Sequence, residues 1–247
     1  MSRVLVIVAA IGFAMAIICF VGVGLVGGFP WNGPAAWRWG PDWRVGWRHN
    51  GWSQADAGPT ISREYPWTGG DRLRIDAPAD LEYTQGPVAR LTATGPKGML
   101  DRLTVHDGRI GFDGWVNDAP TLKIVMTAPT VTRFEASGSQ NLSIVNYKQD
   151  EIEISVTGSG DVVAKGEARR ANLRISGSGD ADLAGLPTDE TTVRISGSGN
   201  ATIAPKASAD VHISGSGDVD LTTNPANLTT EVSGSGEVTR SAAKTED

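Results

Sequence analysis

The sequence predicts an all-β chain: a parallel β-helix, a solenoid of about 19 residues per coil, preceded by one N-terminal transmembrane helix. Three observations predict it. A short phrase recurs six times at a nearly constant step, apolar and polar residues alternate strictly around each copy, and one uncharged apolar run lies near the amino terminus.

The phrase first reads Ser137-Gly138-Ser139-Gln140. It returns as Thr157-Gly158-Ser159-Gly160-Asp161, Ser176-Gly177-Ser178-Gly179-Asp180 and Ser196-Gly197-Ser198-Gly199-Asn200, then as Ser214-Gly215-Ser216-Gly217-Asp218 and Ser233-Gly234-Ser235-Gly236-Glu237. The steps between first residues are 20, 19, 20, 18 and 19. Such a period is too short for a helix pair, about 33 residues, or a propeller blade, about 40. Two or three short strands with their turns fit it.

In the third copy Leu173, Ile175, Gly177, Gly179, Ala181 and Leu183 share one parity, and Ser176, Ser178, Asp180 and Asp182 the other. Period-2 alternation means extended chain with one buried face. Coils stacked in parallel register rise about 4.8 Å each and align equivalent residues into ladders. The expected inner ladders are Ile154, Leu173, Val193, Val211 and Val156, Ile175, Ile195, Ile213, Val232. The outer one is Ser139, Ser159, Ser178, Ser198, Ser216, Ser235, whose hydroxyls are expected to bond along the stack. The glycines are expected at a corner with no room inside for a side chain.

The elements follow in order. Residues 1–29 contain the uncharged run Val4 to Phe29, long enough for a bilayer, which takes about 20 apolar residues. The run ends without a small-residue cleavage site, so it reads as an uncleaved signal anchor in the bacterial inner membrane, with the body facing the periplasm; secretion after cleavage is the alternative. Residues 30–60 form a juxtamembrane linker in which Trp31, Trp37, Trp39, Trp43, Trp47 and Trp52 interleave with Arg38, Arg44 and Arg48. Indole and guanidinium both suit the headgroup zone. From Asp71 onward short strand signals alternate with Gly, Pro and Asp, as in Leu73-x-Ile75 and Leu122-x-Ile124-x-Met126. These read as the first, irregular coils of the same solenoid, giving a β-helix over 61–240 and a polar tail over 241–247.

Composition excludes several functions. Four arginines against Asp42 make residues 1–52 about +3, so the rest of this −6 chain is about −9. A negative body argues against nucleic acid. The only cysteine, Cys19, lies in the apolar run, so there is neither a disulfide framework nor a Cys-based metal site.

The block Leu73-x-Ile75, Pro78-x-Asp80-Leu81, Gly86, Leu103-x-Val105-x-x-Gly108-x-Ile110 and Leu122-x-Ile124-x-Met126-x-x-Pro129, followed by the Gly-Ser-Gly-Asp repeats, resembles the auto-transporter adhesin head GIN domain family over about residues 61–240. The resemblance implies a right-handed parallel β-helix on the bacterial cell envelope and an adhesive role. It transfers no catalytic residues.

The candidate binding residues are the outer ladder: Ser159, Asp161, Ser178, Asp180, Ser198, Asn200, Ser216 and Asp218. Carboxylates in such a row raise calcium as an alternative, since they are hard oxygen ligands. The repeat has one glycine turn per coil and no Gly-Gly pair, and Asn200 and Glu237 break the aspartate row, so no metal or other cofactor is assigned. The plainer role is a turn aspartate accepting backbone N–H groups. Gly-Ser-Gly without a following helix is not a nucleophile elbow. His212, between Val211 and Ile213, reads as a surface histidine, and Arg169, Arg170, Arg174 and Arg194 read as solvated charges near Asp180 and Asp182. The sequence thus points to a non-enzymatic envelope protein, either an adhesin-like element that binds a glycan or another envelope component or a structural element of the envelope. A carbohydrate-active β-helix enzyme is the runner-up, and a self-associating scaffold the third reading, because the last coil lacks an evident cap.

Overall fold

The computed structural model describes residues 58–113 and 120–241. The predicted transmembrane helix, residues 30–57 of the linker and the tail from 242 lie outside the described residues. Among those described, no helix is long and apolar enough to cross a membrane.

The described chain is a β-solenoid of about five turns. Its opening block comprises β1 (Thr60–Tyr65), β2 (Arg72–Ile75), β3 (Ala79–Gln85), β4 (Arg90–Pro96), the single-turn helix α1 (Lys97–Leu100), β5 (Leu103–His106), β6 (Arg109–Phe112) and β7 (Leu122–Ala128). The repeating stack follows with β8 (Arg133–Gly138), β9 (Asn141–Gly158), β10 (Val162–Gly177), β11 (Ala181–Asp182) and β12 (Thr188–Gly197). It ends with β13 (Ala201–Ile203), β14 (Pro205–Gly215), β15 (Val219–Leu221), β16 (Asn227–Gly234) and β17 (Val238–Arg240).

Two strand rows run the length of the stack. In one, β3 pairs in parallel with the start of β9, which continues through the start of β10 to β11, β13, β15 and β17. In the other, β8 pairs with the end of β9, which continues through the end of β10 to β12, β14 and β16. The predicted inner ladders are present in register: Ile175 lies between Val156 and Ile195, and Ile213 between Ile195 and Val232. These side chains are buried except Val232, 42% exposed because no described strand lies beyond its coil. Each fully buried aliphatic side chain contributes about 1.5–3 kcal/mol.

The opening block corrects the expectation of successive coils. The coil made by β2 and β3 abuts the repeats, while β6 and β7, later in the chain, stack on its outer side. There β4 lies antiparallel on β7, β1 antiparallel on β4, and β5 antiparallel on β6. A parallel stack leaves an open row of backbone groups at its end. Here antiparallel strands cover that row, with a tight turn at Asp107 and Gly108, φ 50° and 77°, and with Met99 and Leu100 of α1 buried beneath. Aromatic residues pack in the core nearby. Phe134 meets Tyr83 edge-on at 5.0 Å and Tyr147 at 6.1 Å.

The repeated phrase forms the corner between the two rows. At Ser178, Gly179 and Asp180 three successive N–H groups turn to the preceding coil. Ser178 and Gly179 donate to the Gly158 carbonyl at 2.8 and 3.2 Å, and Asp180 donates to Asp161 Oδ1 at 3.0 Å. The next corner repeats this, with Ser198 and Gly199 on the Gly177 carbonyl at 2.9 and 3.2 Å and Asn200 on Asp180 Oδ1 at 2.8 Å. The expected crowding inside the coil is present at the second glycine, where a Cβ on Gly199 would lie 2.9 Å from Ile175 Cγ2, and the neighbouring backbone adds a closer obstruction. A Cβ on Gly197, where φ is 134°, would lie 2.2 Å from the Gly177 carbonyl oxygen, and one on Gly199 would lie 2.1 Å from that of Gly179. The nearest obstruction is the backbone of the coil below.

Gly197→Ala therefore combines a left-handed backbone with a backbone clash and should cost about 3 kcal/mol or more. Gly70→Ala, where a Cβ meets nothing within 4 Å, should change stability little. Denaturant unfolding of the two variants decides the point, and a mild Gly197→Ala would refute the corner geometry.

Burial pushes the Tyr83 hydroxyl from its ordinary 10.0 up to about 12 and raises that of Tyr147 as well. Below pH 10 Tyr83 is neutral in the folded and unfolded chain alike, so its contribution is intact. Between about pH 10 and 12 only the unfolded chain ionises, and stability falls by about 1.4 kcal/mol per pH unit for this group. Tyr83→Phe, measured by unfolding across that interval, should show a shallower alkaline loss than the natural chain.

Candidate functional site

The predicted outer ladder exists as a column of exposed side chains, and its two residue types have different duties. The Asx members are stacking acceptors. Asp180 Oδ1 accepts both Asn200 N–H and Asn200 Nδ2–H, at 2.8 and 3.0 Å. Asn200 Oδ1 accepts Asp218 N–H at 3.0 Å, and Asp218 Oδ1 accepts Glu237 N–H at 2.8 Å. Asn200 thus uses both of its side-chain polar atoms in the column. The hydroxyls of Ser159, Ser178, Ser198 and Ser216 are exposed. Among the described residues they bond to no protein group, so the expected chain of serine hydrogen bonds does not form. The serine backbone carries the ladder instead. Also among the described residues, no three His, Cys, Asp or Glu side chains converge on a possible metal position.

A second column lies on the outer face of β10, β12, β14 and β16. Strand register places Arg174, Arg194, His212 and Glu231 directly over one another, one per coil. With Ser176, Ser196 and Ser214 they line a shallow groove of about 330 Å3. Arg174 is engaged by Glu153 at 2.5 Å. Arg194 has no acidic partner among the described residues. His212 Nδ1 lies 3.4 Å from Asp210 Oδ1, and both atoms are buried with no hydrogen-bond partner. His212 Nε2 is turned to the groove, 3.3 Å from Glu231 Oε2.

This column corrects the placement of the arginines near Asp180 and Asp182. Those aspartates lie at the start of the other strand row, whereas Arg169 and Arg170 reach back to Asp150 and Glu151, at 3.9 and 4.0 Å. The signal was present in the sequence. The steps from 174 to 194, 212 and 231 are 20, 18 and 19 residues, the period of the glycine phrase itself.

The architecture and these surface columns define a class of protein: a repetitive parallel β-solenoid that displays one set of polar groups per coil. The chain belongs to the family described as "Putative auto-transporter adhesin, head GIN domain", which matches residues 71–225. Among solved structures it is similar to a putative adhesin from Bacteroides fragilis, at 21% identity and TM-score 0.61, covering 74% of this chain and 97% of that one. It is similar also to a putative adhesin from Parabacteroides merdae, at 18% identity and TM-score 0.50, covering 75% of this chain and 97% of that one. At these identities the likeness is one of fold. No curated protein matches the chain.

The stacking duty of the Asx column is open to test. Asp180→Ala strands two donors of Asn200 and should lower stability by about 1–2 kcal/mol. Asp180→Asn keeps an amide oxygen in place, as Asn200 does one coil later, and should stay within about 0.5 kcal/mol of the natural chain. Equal stability of the alanine and asparagine variants in denaturant melts would contradict the assignment.

Proposed function

We propose that this protein is a non-enzymatic, adhesin-type binding element of the bacterial cell envelope. The apolar run over residues 4–29 anchors it in the inner membrane, and the solenoid, coiled right-handed as the family resemblance implies, stands in the periplasm. Its ligand is an extended envelope glycan lying along the stack.

The observation that carries this proposal is the row of exposed hydroxyls at Ser159, Ser178, Ser198 and Ser216, unbonded within the described chain. They recur once per coil, about 4.8 Å apart. A polymer with its own short repeat meets the same donor and acceptor at each step. One such hydrogen bond is worth only about 0.5–1.5 kcal/mol, so affinity comes from repetition. The family description supports the binding role by association.

A glycan array and a turnover screen on the full chain in mild detergent, with and without calcium, test the proposal. Binding without product release is expected, weakening a few-fold with each added Ser→Ala change at 178, 198 and 216. Release of shortened glycan would make the protein an enzyme. Silence across the array would leave a purely structural element.

A further inference from the structure

We infer that the groove over β10, β12, β14 and β16 is a subsite for one carboxylate-bearing sugar, with Arg194 as its principal contact and Glu231 as a tethered occupant that the sugar displaces. This rests on the proposal that the solenoid binds a glycan, and it specifies a chemical class of unit that the serine ladder alone does not.

Four observations on the outer face converge. Arg174 and Arg194 stand opposite each other on neighbouring strands, an arrangement of like charges that disfavours the sheet unless an anion answers it. Glu153 answers Arg174 at 2.5 Å, and no acid among the described residues answers Arg194. Behind the groove Asp210 Oδ1 lies 3.4 Å from His212 Nδ1, and the other ring nitrogen, Nε2, is on the Glu231 side. The groove already holds one carboxylate, since Glu231 Oε2 sits 3.3 Å from that Nε2 on a side chain 76% exposed. The pocket thus shows which group it accepts, through a carboxylate that can swing away.

The hydroxyls of Ser176, Ser196 and Ser214 line the same groove and suit the ring hydroxyls of a sugar. They precede Ser178, Ser198 and Ser216 by two residues across the glycine corner, so the subsite adjoins the serine ladder. Charge sets the stoichiometry. Glu153, Asp210 and Glu231 stand among two arginines and one histidine, so the groove has no excess positive charge for a dense polyanion, and one acid enters by taking the place of Glu231.

The test uses the full chain in mild detergent and two probes, an otherwise neutral oligosaccharide carrying one galacturonate unit and the methyl ester of the same molecule, which keeps the sugars and removes the charge. Titration calorimetry should show the acid binding at least about tenfold tighter than the ester. Arg194→Gln should abolish that preference, and Glu231→Gln should tighten acid binding about two- to fivefold by removing the competitor. Arg169→Gln, outside the groove, should match the natural chain, and melting curves should show all three variants folded. A gain from Glu231→Gln is a result that a merely structural glutamate would not give. Equal binding of acid and ester, indifferent to Arg194, would overturn the subsite and leave the serine-ladder proposal standing. Failure of both probes would also overturn it, while the array decides separately whether the wider proposal falls.

Discussion

The structure depends on how the corner of each coil satisfies its backbone. A parallel stack works only if every buried or half-buried N–H finds an acceptor in the neighbouring coil. Along the strands the ladder does this automatically. At the corner the chain changes direction, and three donors in a row point at the coil below, where one carbonyl can serve only two of them. The first glycine's carbonyl takes the serine and second-glycine N–H groups, and the Asx side chain supplies the acceptor the backbone lacks. A carbonyl placed to accept two donors stands where a Cβ would go, so the same geometry that needs the Asx also forbids any residue but glycine. Serine, glycine and aspartate recur together because they solve one hydrogen-bonding problem.

The same constraint explains the two ends. A corner needs a coil below it that carries a corner of its own. The coil of β2 and β3 reads Asp76-Ala77-Pro78 at that place and has no such glycine. The first copy accordingly departs from the phrase: Gln140 is buried where later copies have glycine, and its amide donates to the Ser137 and Ile75 carbonyls. Beyond the parallel strands β6 and β7 that stack on that coil the scheme gives way to antiparallel strands, which need no corner. At the far end β16 is exposed along nearly its whole length, since no described strand lies beyond it.

Much of this was legible in the sequence. Once the 19-residue step is seen, register follows by addition, and Ile175 must stand over Val156 and under Ile195. The opening block was not legible. Nothing in Leu73-x-Ile75 or Ile110 says that the second lies outside the first, because the period is absent there and strand order is then set by how the end is closed. The arginine column was missed for another reason. Its members differ in identity, so Arg174, Arg194, His212 and Glu231 do not look like a repeat, although they keep its step. A period finds ladders of like residues easily and ladders of unlike residues only when it is applied to every position.

That distinction bears on where function can be encoded. The glycines and the Asx oxygens are committed to stacking, and the inner residues to the core, so neither set is free to vary with a ligand. What remains are outward positions on flat strands and the serine hydroxyls, whose side chains the fold does not use. The sameness of the glycine phrase is therefore a signature of assembly. Specificity has to come from positions that break the sameness, and on the β10–β12–β14–β16 face the break is a change from guanidinium to imidazole to carboxylate over three coils. A ligand reading along that face meets a charge gradient, while one reading along the corner meets the same hydroxyl at every step. The second surface can hold a polymer, and the first can fix where along the stack a particular unit sits.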